Sequence, residues 1–257
     1  DIELSRLITL GRKQMTAKGK TSIKESKTKM TASTLMRLAG LSAMLAGLCM
    51  VVMGLFHPVN VPEAVTTATW VNVHIAATAM SFFGLFGMAG LYARQAEKSG
   101  WLGLTGFVLI SLWFGLVMPF SFMEAFILPR LATVLPELVA GFLGMFTGVP
   151  SKVELGVLPT LWNLSGPMFI LGPLLFGIAT FRAGVLPRRA GGLLTFGALL
   201  IPVGAMVPAE YQPEVALLTI ALALTWLGYA LFSERRERSS EVVPGKVSSQ
   251  LSQTEAK

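Results

Sequence analysis

The sequence is poor in cysteine, histidine and charge, and each shortage removes a class of function. A single cysteine, Cys49, excludes an internal disulfide and a cysteine-built metal cluster. Set midway along the first apolar run, it reads as a small buried hydrophobe. Charged residues make up 14% of the 257, against about 25% in an ordinary soluble domain. No Asp or Lys occurs between residues 31 and 97, so the intramembrane charges of a proton-coupled pump are scarce and transport is disfavoured. There is no Gly-rich phosphate loop, no Gly-x-Ser-x-Gly and no His-Glu-x-x-His, which leaves an enzyme without a nucleophile–base pair.

What stands in place of charge is apolar length. The chain is 53% hydrophobic with a mean hydropathy of +0.65. Six apolar spans, about 35–56, 70–92, 101–122, 161–181, 191–207 and 215–232, approach or exceed the roughly 20 residues that cross a bilayer core. A seventh piece, Leu135–Gly148, opens at Pro136-Glu137 and stops at Gly148. It is too short to span and reads as an interfacial or re-entrant helix. The expected fold is therefore all-α, a polytopic bundle of six transmembrane helices over residues 31–235 with an outer cap at 123–160. Residues 1–30 form a basic tail and 236–257 a second polar tail, both expected to be disordered and cytoplasmic. Met30-Thr-Ala-Ser-Thr34 reads as a natural start, so part of the first 29 residues is expected to be an extension.

The net charge of +7 does not indicate nucleic acid, because the basic residues flank apolar spans and form no basic face interleaved with aromatics. They do set an orientation. Of the 21 Lys and Arg, all but Arg130 and Lys152 fall on one side, including Arg37, Arg94, Lys98, Arg182, Arg188 and Arg189. Glu63, Glu124, Glu137, Glu154, Glu210 and Glu214 fall on the other. Basic residues stay cytoplasmic, so both termini are expected there.

The chain repeats itself. Leu85-Phe-Gly-Met-Ala89 recurs as Leu175-Phe-Gly-Ile-Ala179 and more loosely as Trp226-Leu-Gly-Tyr-Ala230. Three related hairpins would explain this, and so would Gly chosen for close packing in lipid. Pro followed by Glu at 62–63, 136–137 and 213–214 is what a helix N-terminus favours.

Glu124 fits neither explanation. It lies in Met118-Pro-Phe-Ser-Phe-Met-Glu-Ala-Phe-Ile-Leu-Pro-Arg-Leu131, among aromatic and aliphatic neighbours. Either span three runs on past Pro119 and holds the carboxylate at depth, where it marks a functional site by default, or the span ends at Pro119 and Glu124 pairs with Arg130 in an outer loop. His57 and His74 fall at the same outer level. They could ligate haem b or, with Glu124, zinc, or they could bond loop carbonyls. Asn72 and Asn163 sit one turn inside the outer ends of their spans and complete the candidate ligand-binding set of His57, Asn72, His74, Glu124 and Asn163. Trp70, Trp101, Trp162 and Trp226 read as an interfacial aromatic belt. Trp162-Asn-Leu-Ser-Gly-Pro167 with Pro173 makes span four the most broken helix, a feature of some transport cavities.

At Leu91-Tyr-Ala-Arg-Gln-Ala-Glu-Lys-Ser-Gly-Trp-Leu-Gly-Leu-Thr-Gly106 and Leu175-Phe-Gly-Ile-Ala-Thr-Phe-Arg-Ala-Gly-Val-Leu-Pro-Arg-Arg-Ala190 the chain resembles a group of uncharacterised bacterial six-span membrane proteins. The resemblance covers about residues 30–235. It implies a bacterial inner membrane and carries over no catalytic residue. The expected function is a non-enzymatic module that binds a hydrophobic small molecule or a membrane protein partner at its outer face. The alternatives are a b-type haem electron carrier using His57 and His74 and a small-solute transporter.

Overall fold

The computed structural model describes residues 31–204, 206 and 215–240. The Lys-rich tail before residue 31, Glu210, Glu214 and the chain beyond 240 lie outside the described residues, and so do the expectations placed on them. Among the described residues all regular structure is helical: α1 Ala32–Phe56, α2 Ala68–Phe122, a π-helical turn Met123–Ile127, α3 Leu128–Leu131, α4 Pro136–Thr147, α5 Leu158–Ala183, α6 Arg188–Gly204 and α7 Val215–Ser240. Residues 236–240 thus continue α7 and do not open the tail expected there.

Four helical stretches, Ala32–Phe56, Ala68–Leu131, Leu158–Ala183 and Val215–Glu234, are long and apolar enough to cross a membrane. Their most apolar windows bury only 33–39% of their residues, so the outward faces are as greasy as the inward ones. Such a helix suits a solvent of lipid.

Ala68–Leu131 is not one straight rod. Gly100 has φ 57° and ψ −156°, a conformation that a side chain at this position would resist, and it divides α2 into arms 68–99 and 101–122. The arms fold back on each other. Tyr92 stacks on Phe107 at 4.8 Å and 7°, and a Cβ placed on Gly84 would lie 2.6 Å from the Phe114 ring.

The same small-residue logic joins every other pair. The second arm meets α5 where Gly106 admits Phe176, Gly172 admits Ile110 and Trp113 stacks on Phe169 at 4.4 Å. α5 meets α6 at Gly177 and Gly191, and α6 meets α7 at Gly197 and Ile220. α7 meets α1 where a Cβ on Gly228 would lie 2.6 Å from the Gly40 carbonyl. The first arm reaches α1 with Gly87 against Ala43. Helices that gain nothing from burying oil in oil associate through such close backbone approach. Gly87, Gly177 and Gly228 are the glycines of the three sequence repeats, and each sits at one of these contacts. Close packing therefore accounts for all three.

From Leu35 onward, the two arms, α5, α6, α7 and α1 thus form a ring in chain order. Met50, Met88, Phe114, Phe169, Leu194 and Leu224 supply one wall residue per rod to a central cavity of about 20 Å³. That is room for about one water, and the lining is apolar. The interior is filled side chain to side chain.

The two ends of the ring differ. At one end Arg94 binds the Glu234 carboxylate through Nε at 2.7 Å and through Nη2, and Arg37 lies 4.8 Å over the Phe232 ring. Just inside, the buried Gln95 donates to Thr180 Oγ1 at 2.9 Å. The other end carries a second apolar cluster of Val65, Trp70, Phe120, Leu128, Val139, Phe142 and Leu143. Helix α4 supplies three of these residues. Pro136 and Glu137 open it and Gly148, at φ 76°, closes it, as the sequence indicated. The parallel expectation at Pro62-Glu63 fails. Those residues form a turn, and the next helix starts after Thr67, whose side chain caps it by accepting from the Trp70 amide at 3.2 Å.

Candidate functional site

The end of α1 delivers His57, and the first turns of α2 deliver Trp70 and His74. Trp70 and His74 are four residues apart, so they share one helix face, and that face points inward. Their ring centroids lie 4.3 Å apart, and His57 packs on both, at 6.1 Å from Trp70 and edge-on at 5.1 Å from His74. Trp70 and His74 are buried, whereas His57 keeps an exposed edge. Partial burial of the His57 ring holds its pKa below the ordinary imidazole value.

The second arm of α2 brings Glu124 to the same place. The helix passes Pro119 without ending and then widens into a π turn. Pro129 explains a consequence of that turn. The Leu128 amide donates to the Met123 carbonyl, five residues back, and Pro129 has no amide to offer. The Glu124 carbonyl therefore lacks a donor within its own helix. The indole Nε1 of Trp70 supplies one at 2.9 Å, from across the interface and 54 residues away in sequence.

The Glu124 side chain is only 7% exposed, and its Oε2 lies 3.5 Å from His74 Nε2. The opposite ring nitrogen of His74 is 2.8 Å from the Trp70 carbonyl. A carbonyl can only accept, so Nδ1 carries a hydrogen and Nε2 is the nitrogen that gains or loses a proton. Among the described residues Nε2 has no hydrogen-bond partner, since 3.5 Å to the carboxyl oxygen is beyond good hydrogen-bonding range. One proton on either Nε2 or Oε2 leaves the pair uncharged overall. The arrangement is an acid–base pair turned inward, fixed on both sides through Trp70.

Of the five residues singled out from sequence, the structure brings together His57, His74 and Glu124. Of the two placements open for Glu124 it has the buried one, and Arg130 is exposed and unpaired with it. Asn72 and Asn163 are exposed and stand apart. Helical phase is the reason, because Asn72 is two residues from both Trp70 and His74 and so faces away from them. Asn163 is related in the same way to the buried Ser165. Trp70, assigned to an interfacial belt, is instead fully buried and is the residue that sequence reasoning missed. The available signal was its i, i+4 spacing to His74. Trp101, at 83% exposed, does keep an outward position. Cys49 is half-buried, less enclosed than expected.

Haem does not fit this geometry. Bis-His ligation places the macrocycle between the two rings, and the rings of His57 and His74 touch edge to face. Zinc fares no better, for among the described residues no three His, Cys, Asp or Glu side chains converge as a metal site. No family model, no curated protein and no solved structure matches the chain.

Proposed function

We propose that the protein is a six-span membrane protein whose outer face binds a hydrophobic small molecule around His57, His74 and Glu124, without catalysing a reaction. The two arms of α2 and the 17-residue α6 supply the spans beyond α1, α5 and α7. Arg37, Arg94, Lys98, Arg182, Arg188 and Arg189 border one end of the ring, which supports reading that end and both termini as the cytoplasmic side, in a bacterial inner membrane. Helix α4 then lies at the outer interface as a cap.

The burial of Glu124 beside His74 carries the functional reading. An ionisable pair held at membrane depth is costly, and binding or relay work is the usual reason such pairs persist. The apolar cluster around Phe120, Phe142 and Trp70 supplies greasy walls next to this one polar centre, which is the composition of a site for an apolar molecule with a polar head. The filled, apolar middle of the ring gives little support to a solute path.

The test is to purify wild type and a His74→Ala/Glu124→Ala double variant in the same detergent and compare their organic extracts by mass spectrometry. The reading expects a co-purifying apolar molecule that the variant lacks. Identical extracts from two equally folded samples would defeat it. Thiol labelling on a Cys49-free background tests topology independently. Cysteines at the exposed Glu97 and Arg189 are expected to react from the cytoplasm, and one at the exposed Val59 from outside.

A further inference from the structure

We propose that the groove between the α5–α6 turn and the end of α7 binds the phosphate headgroup of an anionic phospholipid, with Arg188 as the cation. The inference requires only that α5 and α7 lie in a bilayer. The groove encloses about 420 Å³ between residues 184–188 and Ala230, Ser233 and Glu234. Its depth is set by the helices that flank it. The membrane-competent stretches end at Ala183 and at Glu234, so the groove opens where apolar helix gives way to polar chain, at the level of lipid headgroups.

Its charge favours an anion. Glu234 looks like an obstacle, but both of its oxygens are engaged by Arg94, so the carboxylate is neutralised. Arg188 is exposed and has no carboxylate partner among the described residues, and its guanidinium lies beside Gly184 on the groove wall. Arg182 and Arg189 flank it, both exposed. Val185, Leu186, Pro187 and Ala230 add apolar surface to the lining, beside the polar Ser233. A cationic groove with apolar residues in its lining, at the end of two apolar helices, matches a glycerophosphate with its acyl chains better than free phosphate.

The experiment uses the full chain in nanodiscs of phosphatidylcholine, with and without phosphatidylglycerol, and reads thermal unfolding and bound lipid by native mass spectrometry. Wild type is expected to melt higher with phosphatidylglycerol and to retain it. Arg188→Gln is expected to weaken that retention by about five-fold, the contribution of roughly one basic residue at a membrane surface. Ser233→Phe fills the groove and keeps every charge, and it is expected to lose the response too. Arg130→Gln, at the opposite end, serves as the control and should respond as wild type. The proposal is overturned if Arg188→Gln and Ser233→Phe respond like wild type, or if inorganic phosphate in detergent stabilises wild type as well as the lipid does.

Discussion

Nε2 of His74, in the first arm of α2, faces Oε2 of Glu124, in the π turn that follows the second arm, at 3.5 Å, and among the described residues neither group has another side-chain partner. The partner that remains after mutation decides the cost. Glu124→Gln keeps a neutral donor that can point at Nε2, and its loss should stay within about 1 kcal/mol, the scale of a hydrogen bond between membrane helices. His74→Ala leaves a buried carboxyl group facing nothing, and the expected loss is about 1–3 kcal/mol, the cost of a stranded buried polar group. Thermal unfolding of both variants in one detergent measures the order. If Glu124→Gln were the more damaging, the pair would not be what stabilises this interface.

The bond from Trp70 to the Glu124 carbonyl exists because Pro129 withholds an amide, and this makes a two-residue prediction. Trp70→Phe removes the indole donor, strands a buried carbonyl and should cost about 1–3 kcal/mol. Pro129→Ala restores an amide at 129 and lets the π turn offer the Glu124 carbonyl a donor of its own. On that background Trp70→Phe should cost much less. Simple additivity of the two changes in a double-mutant cycle would show that Pro129 has no part in it.

Much of this was legible from the chain and some was not, for physical reasons. Apolar run length and the Pro136 and Gly148 signals gave the helices and their ends, because those are local properties. The juxtaposition of His57, His74 and Glu124 followed from placing all three at one membrane level. Depth alone cannot separate Asn72 from His74, since that depends on helical phase and on which neighbour covers each face. Trp70 was misjudged because a tryptophan at a span end usually faces the interface, and only the free carbonyl behind Pro129 gives it a reason to turn inward. The 68–131 run shows the reverse. Sequence reads it as two spans, and the helical turns run up to Gly100 from both sides, where the backbone folds back and separates the two arms.

Glycines at the rod contacts should tolerate nothing larger, whereas a glycine facing open space should be improvable. Gly228→Ala would drive a methyl to 2.6 Å from the Gly40 carbonyl and 2.8 Å from the Met44 amide nitrogen, both backbone atoms that cannot swing aside. A loss of about 1–3 kcal/mol is expected from overpacking. Gly115 has no atom within 4 Å of the same position, so Gly115→Ala should raise stability by about 0.5–1 kcal/mol through helix propensity. Melting temperatures of the two variants should move in opposite directions. A harmless Gly228→Ala would mean that α1 and α7 do not approach as described.

His57 gives the outer end a pH dependence whose sign can be fixed. Burial holds its pKa below the ordinary value of 6.5, so the unfolded chain takes up the proton first as pH falls. Its contribution to stability is therefore fully present above about pH 6.5 and declines as the pH falls from there towards the folded-state pKa. A proton on His57 also places a cation against the His74 ring, at 5.1 Å. His57→Gln removes the titrating group without emptying the position. The difference in melting temperature between wild type and His57→Gln should be constant above pH 7 and should shift against wild type at pH 5. Because His74 and Glu124 are present in both proteins, their own titration largely cancels in that difference. A difference that favours wild type more as the pH falls would mean that His57 is stabilised as a cation, and the packing of its ring on Trp70 and His74 could not then be what sets its charge.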